Sequence, residues 1–166
     1  MLEWYSKNNT YLDLMEQCKG LIKFIAGRLS LKNTIQYQGK TIQLESPWQM
    51  ITVEDAFDRY SDKSLIESLT DNRFDEIISF QIEPILGNTV PTILYNYPAQ
   101  LASLAKLLPD NHNYAQRFEL YIAGIELANG FTELTDPNEQ LLRFNEENTS
   151  RTKQGKQALP LPDKFL

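Results

Sequence analysis

The chain has 166 residues, 42% hydrophobic and 23% charged, so a single domain with a sizeable core is expected and general disorder is excluded. Sixteen Lys and Arg against twenty-two Asp and Glu leave a net charge of −6, with no run of five like charges. That balance argues against a broad, non-specific nucleic-acid surface and leaves room for a local anionic-ligand site. Cys18 is the only cysteine and His112 the only histidine, which excludes an intramolecular disulfide and argues against Cys-rich or His-built metal sites.

A reducing cytoplasm fits this cysteine usage. The longest apolar stretch, Leu21 to Leu29, is interrupted by Lys23 and Arg28 and falls short of the roughly 20 residues a spanning helix needs. No signal peptide is recognisable, so no membrane partner is expected.

In chain order, Thr10 with Asp13 marks a helix start. Tyr11, Leu14, Met15, Cys18, Leu21, Ile22, Ile25 and Leu29 then recur at spacings of three and four, predicting one long amphipathic helix. Cys18 falls on its apolar stripe, which predicts a buried, inert thiol. Ile35, Tyr37, Ile42 and Leu44 alternate around Gln38-Gly39-Lys40 and predict a β-hairpin.

Thr52 is placed to cap a short helix with Val53, Ala56, Phe57 and Tyr60 on its apolar face. Phe74, Ile77, Ile78, Ile82 and Ile85 predict another helix, whose end Pro84 weakens. Residues 33–86 are expected as a small insertion packed beside a sheet, because helices laid on an antiparallel sheet bury its apolar face.

Thr92 to Tyr97, bounded by prolines, and Phe118 to Ile122 are strand-like, and a further run, Ile125 to Leu134, follows Ala123-Gly124. Asp136-Pro137-Asn138-Glu139 combines a cap, a proline at the first helical position and an acid three residues on, so a helix starts there. Residues 148–166 are polar, basic and Pro-containing, and are expected as a loop or frayed tail. His112, in a Pro-Asp-Asn-His-Asn segment far from any cysteine, is expected as a solvated loop residue.

The last hairpin carries the candidate chemistry. With Ala123-Gly124 as a two-residue turn, Ile122 pairs with Ile125, Tyr121 with Glu126 and Glu119 with Ala128. Glu119 and Glu126 then share one face as diagonal neighbours, with Cα atoms about 7–8 Å apart. Two carboxylates so placed reach one hard cation, and Mg²⁺ held by few carboxylates plus phosphates suits them. The same spacing also serves a solvated face with two ordinary acids, and periodicity does not separate the two.

Asn129, Phe131 and Glu133 fall on the opposite face of a regular strand. Gly130 invites a bulge at Ala128-Asn129-Gly130 that brings Asn129 and Glu133 round toward Glu126 into one polar pocket. A buried Glu133 then needs a cationic partner, which a substrate ammonium supplies. A strand-end glutamate facing water is the simpler alternative.

Arg117-Phe118-Glu119 and the run Gly124-Ile125-Glu126-Leu127-Ala128-Asn129-Gly130-Phe131-Thr132-Glu133-Leu134-Thr135-Asp136 resemble the signature of class II lysyl-tRNA synthetases and their short paralogues. Met1-Leu2-Glu3-Trp4-Tyr5 resembles the end of that family's motif 2 strand. Pro91-Thr92 with Tyr97-Pro98-Ala99-Gln100-Leu101-Ala102-Ser103-Leu104-Ala105 resembles its next block, in the family's order. Ile125-Glu126-Leu127-Ala128-Asn129 and Ala102-Ser103-Leu104-Ala105 resemble most the paralogues that attach a lysine-type residue to elongation factor P, the β-lysine ligases. True synthetases usually carry Arg-Glu-Ile before the Asn-Gly pair and Ser-Pro-Leu-Ala in the earlier block.

The resemblance implies an α+β fold, part of a class II aminoacyl-tRNA synthetase-like catalytic domain with an antiparallel sheet flanked by helices. It covers residues 1–166 as a single partial catalytic domain. It implies that Glu119 and Glu126 bind Mg²⁺ and the phosphates of ATP, and that Glu3, Tyr5, Asn129, Phe131 and Glu133 form a lysine pocket. Phe131 also fits an ordinary core position.

The implied reaction activates a lysine-type amino acid on ATP as an aminoacyl-adenylate and passes it to elongation factor P. The amino acid, α-lysine or β-lysine, stays open. A lysyl-tRNA synthetase fragment charging tRNA and a non-catalytic ligand-binding module are the alternatives. The resemblance starts at the end of motif 2 and stops before motif 3, without motif 1 and the two phosphate-clamping arginines. The expectation is therefore a fragment inactive alone, and the homodimer usual for full-length members is put in question.

Overall fold

The computed structural model describes residues 1–31, 33–162 and 164. At the start of α1 (Tyr11–Arg28) the Thr10 backbone N–H and hydroxyl donate to Asp13 Oδ2 at 2.7 and 2.9 Å, as the Thr10/Asp13 pattern predicts. Tyr11, Met15, Cys18 and Ala26 are its buried residues. Ile25 and Leu29, predicted on the same stripe, are exposed. Ala26 continues the four-residue step from the half-buried Ile22, while Ile25 lies about 100° to its side.

The predicted hairpin is β1 (Thr34–Tyr37) and β2 (Lys40–Gln43), with Tyr37 opposite Lys40 and Ile35 opposite Ile42. A strand not foreseen, β3 (Gln49–Thr52), runs directly into α2 (Val53–Tyr60), whose first turn is capped by the Thr52 hydroxyl accepting from Asp55 N at 3.0 Å. A second unforeseen element, α3 (Leu65–Thr70), is closed by a Ser64/Glu67 capping box. The predicted third helix is broken into α4 (Phe74–Ile77), a π-helical turn (Ile78–Ile82) and a 3₁₀ turn (Glu83–Ile85) containing Pro84.

Then follow β4 (Thr92–Pro98), β5 (Tyr114–Ile122), β6 (Ile125–Phe131) and α5 (Pro137–Lys153), the last capped by Asp136 accepting from Asn138 N and Glu139 N. The tail predicted from 148 is helical through Lys153, because α5 continues past its capped start with Arg151 and Lys153 in its last turn, where cations suit the helix dipole. Residues 163, 165 and 166 of that tail lie outside the described residues.

The four-stranded sheet has the order β3-β4-β5-β6. The pairs among β4, β5 and β6 are antiparallel as predicted, but β3 lies parallel to β4, with Ile51 opposite Leu94. A parallel neighbour needs a crossover, and the helices between β3 and β4 provide it. Residues 33–86, predicted to pack beside the sheet, thus also supply its edge strand.

One face of the sheet is closed by α1, with Tyr11, Met15 and Cys18 against Ile93, Phe118 and Leu120. The other face packs Ile51, Leu94, Tyr97 and Tyr121 against Phe57, Phe74, Ile77, Ile82 and Leu86 of the crossover. Phe57 and Phe74 stack with ring centroids 5.3 Å apart. Part of this second face, along β5 and β6, is left open as a cleft.

Candidate ligand-binding cleft

Ala123 and Gly124 join β5 to β6 with φ of 58° and 80°, the left-handed dihedrals of a tight two-residue hairpin. Ile122 pairs with Ile125 and Tyr121 with Glu126, as the sequence predicts. Glu119 does not pair with Ala128. Leu120 does, and Glu119 faces Asn129, so Leu127 is the extra residue of a bulge. The bulge precedes the predicted Ala128-Asn129-Gly130, from which the ladder runs regularly to the Arg117–Phe131 pair. Gly130 serves another need: a Cβ there would stand 2.6 Å from Cε1 of the buried Phe118 ring.

A one-residue bulge inverts which side chains face which side. Opposed residues share a face, so Asn129 joins Glu119 and Glu126 on the same side of the sheet, and Phe131 follows. The grouping of Asn129 with the two acids is therefore reached by a bulge at Leu127. Phe131 is partly buried and packs against the cluster of Ala102, Ala105 and Ala115.

The cleft measures about 1160 Å³ and is bounded by this face, the Ala99–Leu107 segment, the run from α4 through the π-helical turn to Glu83, and α5. Tyr97, Arg117, Glu119 and Glu126 line it from the sheet, Glu83 from the 3₁₀ turn and Arg143 from α5. Arg143 Nη1 donates to the carbonyls of Ser103 and Ala105 at 2.8 Å each, which ties α5 to the opposite wall.

Glu119 is 7% exposed and accepts at both oxygens: Arg117 Nη2 donates to Oε1 at 2.9 Å and the Tyr121 hydroxyl to Oε2 at 2.6 Å. Arg117 also donates to Leu101 O at 2.9 Å, and its guanidinium lies 4.7 Å above the Tyr97 ring. The buried Tyr97 hydroxyl and Arg117 Nε have no hydrogen-bond partner among the described residues. Burial, and then the negative charge of Glu119, hold the Tyr97 hydroxyl well above the usual phenol range.

Glu126 is the more exposed acid of the pair. Partial burial, then the carboxylates of Glu119 and Glu83, push its carboxyl above the ordinary range, against the lowering effect of Arg117. A carboxyl raised on folding stabilises the fold below the unfolded pKa and loses that contribution as pH rises through the folded value. Glu126→Gln is therefore expected to melt about 1–2 °C above the wild type near pH 7, with the gap closing at acid pH. Paired thermal melts from pH 4 to 8 check this, and a gap that widens toward acid would refute it.

Glu3, Tyr5 and Glu133 come together outside the lining of this cleft. The Tyr5 hydroxyl donates to Glu3 Oε1 at 3.3 Å, and the charge of Glu3, with a smaller effect from Glu133, raises its pKa. Glu133 is exposed rather than buried: it lies past the end of β6 at Phe131, in an isolated bridge to Ala105. Partial desolvation still raises its carboxyl, and no basic side chain pairs with it among the described residues. Cys18 is buried as predicted, with its thiol pKa raised by that burial, and His112 is an exposed loop residue. Among the described residues no helix is long and apolar enough to cross a membrane.

Residues 1–163 match the profile of the family described as tRNA synthetases class II (D, K and N). The chain belongs to this family. The class II synthetase fold explains the α+β architecture, and the expectation of such a fold holds. Three curated relatives are named elongation factor P–(R)-β-lysine ligase. That of Vibrio parahaemolyticus is 31% identical over 173 residues, and those of Yersinia pestis and Yersinia pseudotuberculosis are each 33% identical over 174. Each alignment covers 97% of this chain and 51% of the relative, so the chain spans about half the length of these ligases.

In this member of the class II tRNA synthetase family, the sequence alone assigns no role to Arg117, Tyr121, Tyr97 or Glu83. Arg117 and Tyr121 stand two residues either side of Glu119 on one strand, so parity alone places all three on one face. Glu83 reaches Tyr121 across 38 residues and leaves no local signal.

Proposed function

We propose that this chain carries the lysine- and nucleotide-binding part of an ATP-dependent ligase. That ligase activates lysine or β-lysine as an aminoacyl-adenylate for transfer to a lysine of elongation factor P. The observation that carries the reading is the Glu119/Glu126 pair, set beside Asn129 on an open sheet face. Its likeness to proteins named elongation factor P ligases supports the choice of acceptor.

In such a reaction an amino-acid carboxylate oxygen attacks the α-phosphorus of ATP, the bond to the β-phosphate oxygen breaks and pyrophosphate leaves. An acceptor amine then attacks the acyl carbon, forming an amide and releasing AMP. Positioning and charge neutralisation carry most of the barrier reduction.

No set of three His, Cys, Asp or Glu converges to form a metal cage among the described residues. Two carboxylates with a nucleotide are what Mg²⁺ accepts, since it keeps waters and takes phosphate oxygens. Glu119 and Glu126 would hold it, and the ion would neutralise phosphate charge. Arg117 fixes Glu119. The carboxylate of Glu3, which accepts from the Tyr5 hydroxyl, and that of Glu133, whose charge is felt at the same hydroxyl, would offer charge-assisted acceptors to a side-chain ammonium.

The test is calorimetric titration of the chain with a non-hydrolysable lysyl-adenylate analogue and Mg²⁺. The wild type is expected to bind. Glu133→Gln and Glu126→Gln are each expected to lose about tenfold or more in affinity, the scale of a charge-assisted hydrogen bond. No heat and no thermal stabilisation with the wild type would overturn the reading.

A further inference from the structure

The Tyr121 ring has none of its surface exposed, and its hydroxyl stands between two carboxylates, 2.6 Å from Glu119 Oε2 and 3.1 Å from Glu83 Oε1. A phenol has one proton to donate. The shorter contact directs it to Glu119, whose other oxygen is held by Arg117 at 2.9 Å. Glu119 is thus gripped on both oxygens by neighbours on its own strand, whereas the Glu126 carboxylate accepts no hydrogen bond among the described residues. The acidic pair consists of one fixed and one free carboxylate.

We propose that Tyr121 is a positioning residue for the nucleotide site. Its hydroxyl locks Glu119 in the orientation it presents to the cleft, and Glu83 is the alternate acceptor that keeps the hydroxyl in place. The inference rests on the reading of Glu119 and Glu126 as the Mg²⁺·nucleotide acids. Partners that orient a metal-binding carboxylate typically contribute 10- to 100-fold in metal affinity without touching the ion.

The experiment is calorimetric titration of the whole chain with α,β-methylene-ATP at a series of Mg²⁺ concentrations, with a thermal melt of each variant. Tyr121→Phe keeps the ring volume. It is expected to raise the Mg²⁺ concentration needed for half-saturation roughly tenfold while melting within a few degrees of the wild type. Glu83→Gln keeps an acceptor for the hydroxyl and is expected to stay within about twofold.

Wild-type Mg²⁺ dependence in Tyr121→Phe overturns the proposal. So does an equal loss in Glu83→Gln, which would make the charge of Glu83 the determinant. Should Tyr121→Phe fail to fold, 3-fluorotyrosine at position 121, a stronger donor of similar size, is expected to bind at least as tightly as tyrosine, and weaker binding overturns the role. A wild-type chain that binds no analogue at any Mg²⁺ concentration overturns the site reading as well, which separates the two failures.

Discussion

Arg117→Met is expected to lower the melting temperature by about 10 °C. Glu119 is buried and its Oε1 accepts from Arg117 Nη2 at 2.9 Å, so the methionine leaves a carboxylate inside the fold with one donor lost. Breaking a buried ion pair from one side costs about 3–5 kcal/mol, because the remaining charge stays desolvated. A domain of this size loses about 2–4 °C per kcal/mol. The loss adds to that of the Leu101 carbonyl bond and of the guanidinium over Tyr97. The double variant Arg117→Met/Glu119→Leu is expected to recover most of the drop, since no charge is then stranded. A drop under about 2 °C for the single variant would show that Glu119 finds other compensation.

Gly87→Ala is expected to cost at least about 3 kcal/mol and to leave little folded protein at 37 °C. Gly87 has a φ of 72°, where an L side chain is strained, and an added Cβ would stand 2.5 Å from Tyr121 O and 2.7 Å from Ile122 Cα. Both atoms are backbone and cannot swing away. The same turn seats the β5–β6 hairpin, with Ala123 N donating to Gly87 O and Gly124 N to Leu86 O at 2.8 Å each. Displacing it therefore moves the acid-bearing strands as well as the turn. Circular dichroism and a chemical denaturation midpoint check the outcome, and a midpoint equal to the wild type would refute it.

Elements with a local signature were legible in the sequence. The capped start of α1, the tight turns of both hairpins, the Thr52 cap and the Asp136-Pro137 start all act within a few residues, and each stands where expected. β3 was not legible, because its four residues owe their strand to a parallel partner some forty positions away. α3 did carry a signal in Ser64 and Glu67 that its short apolar pattern obscured.

For the site, turn geometry alone paired Tyr121 with Glu126 and so placed Glu119 and Glu126 on one side. The position of the bulge was missed because the glycine that hinted at it answers to the Phe118 ring. The burial of Glu119 and its hold by Tyr121, with Glu83 arriving from a distant turn, belong to tertiary packing.

The extra residue at Leu127 sets the phase of everything after it. A strand alternates with a period of two, so deleting Leu127 would close the bulge into a regular ladder, with Ala128 still opposite Leu120 and Asn129 still opposite Glu119 on the side of Glu126. A deletion of two would set Asn129 next to Glu126 and turn it, with Phe131, toward the helix on the far side. Along this stretch the acids and the asparagine stay together in a strand of either of two lengths, with the bulge residue or without it, and part company at the next residue lost.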